Sequence, residues 1–254
     1  MKDSVTQEIE KTLKIFKPIN LEDMDRVRLM NRVESKFVFR NDQLPYFLSL
    51  AKDYYKILDI NGKRTNLYNS LYFDTLQNTL YLNHHNGKAD RYKVRYRLYE
   101  NTNDCFFEIK HKTAKNRTIK NRIRATEIDS SISKIGEKFI MEQSDLDPTS
   151  LKPMIQVFYT RITLVNYVEN ERITFDYNLS YQKEGEIIDI PHLVICEMKQ
   201  YKSFPSPFSK IMADHHVRRD AISKYCLGVI KLNKSIKYNN FKAKLMYINK
   251  LCYD

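Results

Sequence analysis

The chain has 254 residues, a hydrophobic content of 42% and a formal net charge of +12 at pH 7. This length can bury the core of one large domain or two small ones. No apolar run approaches the roughly 20 residues that a membrane-spanning helix requires, and the charged residues 1–10 lack the apolar core of a signal peptide. The positive charge favours an anionic partner, such as nucleic acid, an anionic lipid or a phosphate-rich small molecule.

Two periodicities locate the elements of the first half of the chain. Apolar residues three and four positions apart indicate helices, and alternation of apolar and charged residues indicates strands. In chain order we predict a helix over 5–16, a strand over 32–39, a helix over 41–59, a strand over 66–73, a short helix over 74–83 and strands over 91–99, 105–112 and 118–125.

The second half continues the same alternation. In chain order we predict a helix over 130–143, strands over 155–167, 171–178 and 193–201, a helix over 221–231 capped by Asp220, and a helix over 235–252. Most connections between strands are short, which favours antiparallel pairing. The predicted class is therefore α+β, with an eight-stranded antiparallel sheet closed or nearly closed into a β-barrel, helices packed outside and a C-terminal helix.

The cysteines and the linker composition indicate how the chain is organised. The four cysteines lie far apart beside apolar neighbours, so we expect buried free thiols, which are typical of a reducing, cytoplasmic compartment; they are Cys105, Cys196, Cys226 and Cys252. No low-complexity linker interrupts the sequence. We therefore expect a single domain over 1–254, with an N-terminal helix in 1–20, a core over 24–231 and a basic helical tail over 232–254.

Charged residues recur two positions apart on the predicted strands, and residues at this spacing lie on one face of a strand. Three of these pairs join an acid to a base, namely Glu34 with Lys36, Glu108 with Lys110, and Glu197 with Lys199. Two further pairs join two bases, namely Arg95 with Arg97 and Lys120 with Arg122.

The charged face of a single such strand normally faces water. The whole set favours a different interpretation, because its charges are mostly positive and like charges opposite each other destabilise a sheet. The predicted helices also need the apolar faces as packing surfaces. We therefore expect the basic face to line an interior that holds water and a polyphosphate, where Arg offers a bidentate fork and Lys a point charge.

Three glutamates among these bases are candidate metal ligands. Glu34, Glu108 and Glu197 are poor phosphate ligands, whereas Mg²⁺ and Mn²⁺ favour oxygen ligands. A cation that bridges carboxylate and phosphate would explain acids among so many bases. For any one glutamate taken alone, an ion pair with a lysine or arginine on the next strand is the favoured alternative.

Short motifs follow one another in the order seen in the triphosphate tunnel metalloenzymes, the CYTH-like superfamily. They are Glu34-Ser35-Lys36, Arg95-Tyr96-Arg97, Phe107-Glu108-Ile109-Lys110, Lys120-Asn121-Arg122, Tyr159-Thr160-Arg161, Arg172-Ile173-Thr174 and Glu197-Met198-Lys199. Tyr159-Thr160-Arg161 and the later segment 223–229 resemble the polyphosphate polymerase branch, the catalytic domain of the vacuolar transporter chaperone (VTC). The resemblance covers residues 24–231.

The resemblance implies a basic tunnel that transfers the γ-phosphoryl of ATP to inorganic polyphosphate or pyrophosphate with Mn²⁺ or Mg²⁺. It implies phosphate-binding or catalytic positions at Lys36, Arg95, Arg97, Lys110, Lys120, Arg161 and Arg172. It implies further ligand positions at Tyr159, Ser223 and Lys224, and a metal-binding position at Glu197. Strand phase adds Arg122 and Lys199 as substrate-binding candidates, and Glu108 and Glu34 as metal-binding candidates.

Two residues depart from the family pattern, and the first argues against simple triphosphate hydrolysis because it removes a metal-binding carboxylate. Arg32 stands where hydrolase and cyclase relatives have the first glutamate of Glu-x-Glu-x-Lys, and Ala221 stands where the polymerase branch can have a lysine. One alternative is a tunnel-type triphosphatase acting on inorganic triphosphate or nucleotides, and another is a non-enzymatic polyanion- or RNA-binding protein. For a polymerase no nucleic-acid partner is expected, and coupling to transport would require a separate membrane partner.

Overall fold

A computed structural model describes residues 4–26, 33–115, 117–220 and 222–253. Its eleven strands in these ranges belong to one sheet. They are β1 (Pro18–Ile19), β2 (Val33–Arg40), β3 (Lys56–Leu58), β4 (Asn66–Thr75), β5 (Arg91–Tyr99), β6 (Asp104–Lys112), β7 (Thr118–Ala125), β8 (Leu151–Asn166), β9 (Glu171–Lys183), β10 (Glu186–Ile190) and β11 (Leu193–Gln200).

Eight α-helices accompany the sheet in the described part of the chain. They are α1 (Ser4–Leu13), α2 (Leu21–Arg26), α3 (Leu44–Ala51), α4 (Thr79–His85), α5 (Lys134–Gln143), α6 (Pro207–Asp214), α7 (Lys224–Leu232) and α8 (Lys242–Tyr253). Single turns of 3₁₀-helix precede α3, β8 and α8, at Asn41–Gln43, Pro148–Ser150 and Asn239–Phe241.

The sheet follows one path of eight strands, in the order β2-β11-β9-β8-β4-β5-β6-β7. Every neighbouring pair on this path is antiparallel, which confirms the predicted pairing. The predicted α+β class is confirmed, but of the closed or nearly closed barrel that we expected the closure is absent, because β2 and β7 end the path without pairing with each other. Part of the free edge of β2 is taken by the chain before α7, where Arg219 bridges to Phe37 and the Asp220 N–H donates to the Lys36 carbonyl.

Helices cover the outer face of the curled sheet. α1, α3 and α6 pack on the outward side chains of β2, β9 and β11, including Phe39, Phe175 and Cys196. α5 packs with Phe139 and Ile140 on the outward side chains of β5 and β6. Because alternate residues of each strand are buried under these helices, the charged residues between them face the inside of the curl.

One end of this interior is filled by α7. Its Leu227 and Val229 pack against inward residues that include Ile155 of β8 and Tyr181 of β9. Gly228 makes the close approach, because a Cβ there would lie 2.4 Å from Tyr181 Cδ1. The inward faces of β8 and β9 are therefore apolar beside α7 and charged farther along.

Several predicted boundaries change for tertiary reasons. The helix predicted over 41–59 ends at Ala51, because Lys56–Leu58 pairs as β3 with β1 and β8. α7 begins at Lys224 rather than 221, since the Ser223 hydroxyl, not Asp220, accepts the Cys226 N–H as its cap. The sequence prediction also missed β10 and α6.

The predicted state of the cysteines is confirmed, since all four are free and buried. Within the described ranges, none of the helices has the length and apolar composition that spanning a bilayer requires.

Candidate functional site

The inward face of the sheet path carries a dense set of cations. We call the enclosed space the lumen. Its lining cations, from β2 to β11 in chain order, are Lys36, Lys93, Arg95, Arg97, Lys110, Lys120, Arg122, Arg161, Arg172 and Lys199. Charges on distant strands act on one another across this space, because burial, Lys36 and Arg95 lower the pKa of Lys110 of β6 overall while Glu34 and Glu197 raise it. All the cations predicted for the site on strands therefore lie on one face of one sheet, and Lys224 joins them from α7.

Glu108 anchors one cluster of these cations. Its side chain is 1% exposed, and Oε2 accepts hydrogen bonds from Arg95 Nε at 2.8 Å and Nη2 at 2.6 Å. Lys120 contacts the other carboxylate oxygen. Burial alone would raise the pKa of Glu108, but Arg95, Arg97 and Lys120 outweigh burial and hold the pKa well below its usual range. This geometry matches the ion-pair alternative, and a metal-binding role for Glu108 stays a prediction.

Asp176 anchors a second cluster that the sequence prediction did not include. Arg161 binds it through both arms of its fork, with Nε 2.5 Å from Oδ1 and Nη2 2.7 Å from Oδ2, and Lys224 also contacts Oδ2. Burial would raise the pKa of Asp176, but Arg161 and Lys224 outweigh it and lower the pKa to about 2. Asp176 lies on the same face of β9 as Arg172 and Thr174, so the two-residue repeat of the strand could have identified it as a site residue.

The third cluster contains the two carboxylates best placed for a metal ion. Lys199 of β11 contacts Glu197 Oε1 and lies 3.7 Å from Glu34 Oε1, and Lys36 Nζ lies 3.2 Å from Glu197 Oε2. No group of three His, Cys, Asp or Glu side chains in the described residues could hold a metal ion. Two carboxylates converging on one ammonium nevertheless fit a hard divalent cation, which commonly takes its other ligands from substrate phosphates and water.

The start of α7 brings Ser223 and Lys224 into the lumen. The Ser223 hydroxyl caps the helix and accepts a 2.8 Å hydrogen bond from Lys93 Nζ, and Lys224 Nζ lies 4.9 Å from the centre of the Tyr159 ring. Helix α7 thus places two predicted residues against strands far away in sequence.

Lys93 is a second residue that the prediction of the site left out. Burial lowers its pKa most, and Lys110 and Lys36 lower it further, to about 8. Lys36 behaves differently, because Glu197 and Glu34 outweigh the effect of burial and raise its pKa. Lys93 lies on the same face of β5 as Arg95 and Arg97, so the two-residue repeat of the strand could have identified it as well.

Tyrosines separate several of these cations. The Tyr72 hydroxyl accepts a 2.7 Å hydrogen bond from Arg95 Nη1, and its ring stacks on Tyr225 of α7. Burial would raise the pKa of Tyr72, but Arg95, Arg97 and Lys93 outweigh it and lower the pKa to about 8. The lumen is therefore positive enough to favour ionisation of a phenol.

Arg122 and Arg172 are the two remaining predicted cations. Arg122 is exposed on β7, where its guanidinium carbon lies 4.2 Å from the centre of the Phe106 ring. Arg172 lies opposite Lys199 in the register of β9 and β11. Arg32 and Ala221, the two departures from the family pattern, lie outside the described residues.

Similar chains occur among solved structures. PH1819 from Pyrococcus horikoshii OT3 is 14% identical with a TM-score of 0.46, covering 79% of this chain and 99% of that one. A Bacillus halodurans protein with a provisional adenylate cyclase name is 15% identical with a TM-score of 0.46, covering 81% and 100%. HpAC1 from Hippeastrum, described as having a dominant triphosphatase activity, is 14% identical with a TM-score of 0.47, covering 82% and 99%.

These likenesses are too distant to carry an argument about activity, and no curated protein matches the chain. A family model does match, over residues 31–233, and it is described as the VTC domain. That span includes all eight strands of the sheet path and the start of α7. The chain belongs to the VTC domain family.

Proposed function

We propose that this protein is a polyphosphate polymerase, which transfers the γ-phosphoryl of ATP to the end of an inorganic polyphosphate chain. The observation that carries the proposal is the convergence of lysines and arginines from many strands and from α7 on one lumen, in a chain of the VTC domain family. Cations gathered in an enclosed space repel one another unless a polyanion lies among them.

Phosphoryl transfer needs in-line positioning and stabilisation of charge on the phosphoryl oxygens, and little covalent chemistry from the protein. Arg95 and Arg161 suit this task because Glu108 and Asp176 hold their forks in fixed orientations before substrate arrives. Lys36 and Lys93 add point charges from opposite walls. The terminal phosphate of the acceptor chain is itself the nucleophile, so a bond forms between its oxygen and the γ-phosphorus while the bond from that phosphorus to the β,γ-bridging oxygen breaks and ADP leaves.

The resemblance of the strand motifs to those of the triphosphate tunnel metalloenzymes implies a divalent cation. Glu197 and Glu34 are the residues that would hold it, in place of their contacts with Lys199. When bound, such a cation neutralises charge on phosphate oxygens. Lys199 would then be released to bind phosphate.

The protonation states of the lumen carboxylates favour phosphate over water as the acceptor. Water must lose a proton when it attacks, and an efficient general base has a pKa near the working pH. Glu108, Asp176 and Glu197 all have lowered pKa values, because neighbouring cations outweigh the effect of burial. They are therefore weak bases, whereas an acceptor phosphate is already anionic and needs none.

A tunnel triphosphatase is the second candidate, and two side chains favour it. Lys93 and Tyr72 each have a pKa lowered to about 8, so the deprotonated form of either, which becomes populated near pH 8, could accept a proton from an attacking water. Release of orthophosphate without chain growth is the outcome expected for this function.

The two functions separate in one assay. Purified protein is incubated with ATP, Mn²⁺ or Mg²⁺ and a pyrophosphate primer, and products are resolved on a gel while orthophosphate is measured. We expect a polyphosphate ladder, reduced about 10²–10³-fold by Arg161→Ala, which removes one oriented charge donor. Lys138→Ala, whose side chain is 77% exposed on α5, is the matched control and should leave the ladder unchanged. A protein that forms neither product contradicts both candidates.

A further inference from the structure

Four aromatic rings form a continuous row from the buried lumen toward solvent. Tyr159 stacks on Tyr68, with ring centres 5.0 Å apart and planes at 16°. Tyr68 meets Tyr99 edge to face at 5.0 Å, and Tyr99 meets Phe106 edge to face at 5.9 Å. We call these four residues the aromatic row. Tyr159 is 3% exposed, whereas the other three are half-buried.

The inner end of the row touches the cations of the proposed phosphate site. The guanidinium carbon of Arg161 lies 4.8 Å from the centre of the Tyr68 ring, and that of Arg97 lies 5.4 Å from it. Arg97 is also the register partner of Phe106 across β5 and β6. A ligand whose phosphates contact Arg97 therefore has the outer rings directly beside it.

The outer end of the row is covered by a flat cation. The guanidinium carbon of Arg122 lies over the Phe106 ring, 4.2 Å from its centre, and Arg122 forms no ion pair with any described residue, although Asp104 binds Arg124 two positions along the strand. An exposed guanidinium on an aromatic ring presents a planar surface on which another flat ring can stack. Phosphate binding does not require such a surface, because a phosphate chain has no planar apolar part.

We propose that Tyr99, Phe106 and Arg122 form a stacking subsite for the base of a nucleoside triphosphate. This inference rests on the proposed function, since it takes the phosphates to lie among the lumen cations. A nucleotide joins an anionic chain to a flat ring through one sugar, which matches a row that starts at Arg97 and ends in solvent. Stacking tolerates any base because every base has a π-face. The subsite should therefore bind ATP and GTP with similar affinity.

The test compares ligands with and without a base. Dissociation constants for Mg²⁺-ATP, Mg²⁺-GTP and Mg²⁺-tripolyphosphate are measured by calorimetry on the unaltered protein, on Phe106→Leu and on Arg122→Lys. Phe106→Leu keeps an apolar side chain but removes the aromatic ring. Arg122→Lys keeps the positive charge but removes the planar guanidinium. Arg124→Lys is the matched control, because Arg124 is exposed on the same strand and pairs with Asp104.

We expect both variants to weaken ATP and GTP about tenfold, equivalent to ~1.4 kcal/mol, and tripolyphosphate less than about twofold; Arg124→Lys should change none of the three. Equal weakening of ATP and tripolyphosphate would overturn the base subsite while leaving the proposed function standing. Unchanged ATP affinity in both variants would also overturn it. An unaltered protein that binds neither ligand contradicts the proposed function and this inference together.

Discussion

Lys93 illustrates how an enclosed site sets the charge of one side chain. Inside the lumen, burial, Lys110 and Lys36 lower its pKa from 10.5 to about 8. The folded protein therefore binds fewer protons at this group than the unfolded chain between pH 8 and pH 10.5. The free energy of unfolding rises with pH across that window on account of this group. Phosphate binding has the opposite dependence, because it requires the ammonium form.

We predict that tripolyphosphate affinity falls several-fold between pH 7.5 and pH 9.5 and that Lys93→Arg flattens this dependence, because a guanidinium stays charged. Calorimetric dissociation constants at constant ionic strength provide the measurement. Burial is the main cause that lowers the pKa of Lys120, to about 7. Its loss of charge therefore affects tripolyphosphate binding mostly near pH 7.5. The difference between the two proteins therefore isolates Lys93, and an unchanged slope in Lys93→Arg would contradict the assignment. Lys138→Arg, on the outer helix α5, serves as the control.

Among the elements, α7 connects packing to the site. Its first residue, Lys224, binds Asp176 in the lumen, and the next, Tyr225, donates a 2.5 Å hydrogen bond to buried Asp74. Three residues later, Gly228 lies against Tyr181 and Ile155 with no room for a side chain. The axial position of α7, and with it the position of Lys224, therefore depends on this one close approach.

Gly228→Ala should shift α7 and destabilise the protein. A Cβ would lie 2.4 Å and 2.6 Å from two ring atoms of Tyr181 and 2.7 Å from Ile155 Cδ1. We expect a loss of about 1–3 kcal/mol in the free energy of unfolding and weaker tripolyphosphate binding, measured by thermal melting and calorimetry.

Gly136 of α5 provides the control for this substitution, because it is also a glycine within a helix. The one atom within 3.0 Å of the position that a Cβ would take is Ile132 Cγ2, at 2.9 Å, whereas Gly228 has three such atoms, and α5 lies outside the lumen. Gly136→Ala should therefore cost less stability and leave binding unchanged. Equal melting temperatures for Gly228→Ala and the parent protein would contradict the proposed close packing.

At the scale of the whole molecule, the fold separates an apolar exterior of the sheet from a basic interior. The helices occupy the outer face, so much of the +12 net charge is concentrated where strands curl around the lumen. Such a protein should be most stable with an anionic ligand bound, because the ligand removes repulsion among the cations. That the chain forms a single domain stays a prediction.

We predict that tripolyphosphate at a hundred times its dissociation constant stabilises the protein by about 2.7 kcal/mol, which raises the melting temperature by roughly 5–11 °C for a chain of this size. The increase should shrink as NaCl is added, since salt screens the attraction. Sulfate at matched ionic strength is the control, because one small anion cannot span the clusters around Glu108, Asp176 and Glu197. An equal shift with sulfate would argue against a site shaped for a phosphate chain.

The strands were the most predictable part of the structure. β5 and β7 have the predicted bounds. Charged and apolar residues alternate along both strands, and this alternation follows from the local geometry of an extended backbone. The helix predicted over 41–59 failed at its end, where Ile57 is buried between two other strands and pairing overrides helical periodicity. Asp176 and Lys93 were on the correct faces but were left out of the site, because their partners are on distant elements.

The sequence by itself determined which side chains share a face of each strand, and therefore that lysines and arginines would gather on one side of the sheet. This follows from the two-residue repeat of an extended backbone. Only the tertiary structure decided that this side is the inside, that β2 and β7 do not pair with each other, and that Arg161, Asp176 and Lys224 meet. These outcomes depend on helices that cover the apolar face and on α7 entering one end of the lumen, both of which are contacts between residues far apart in the chain.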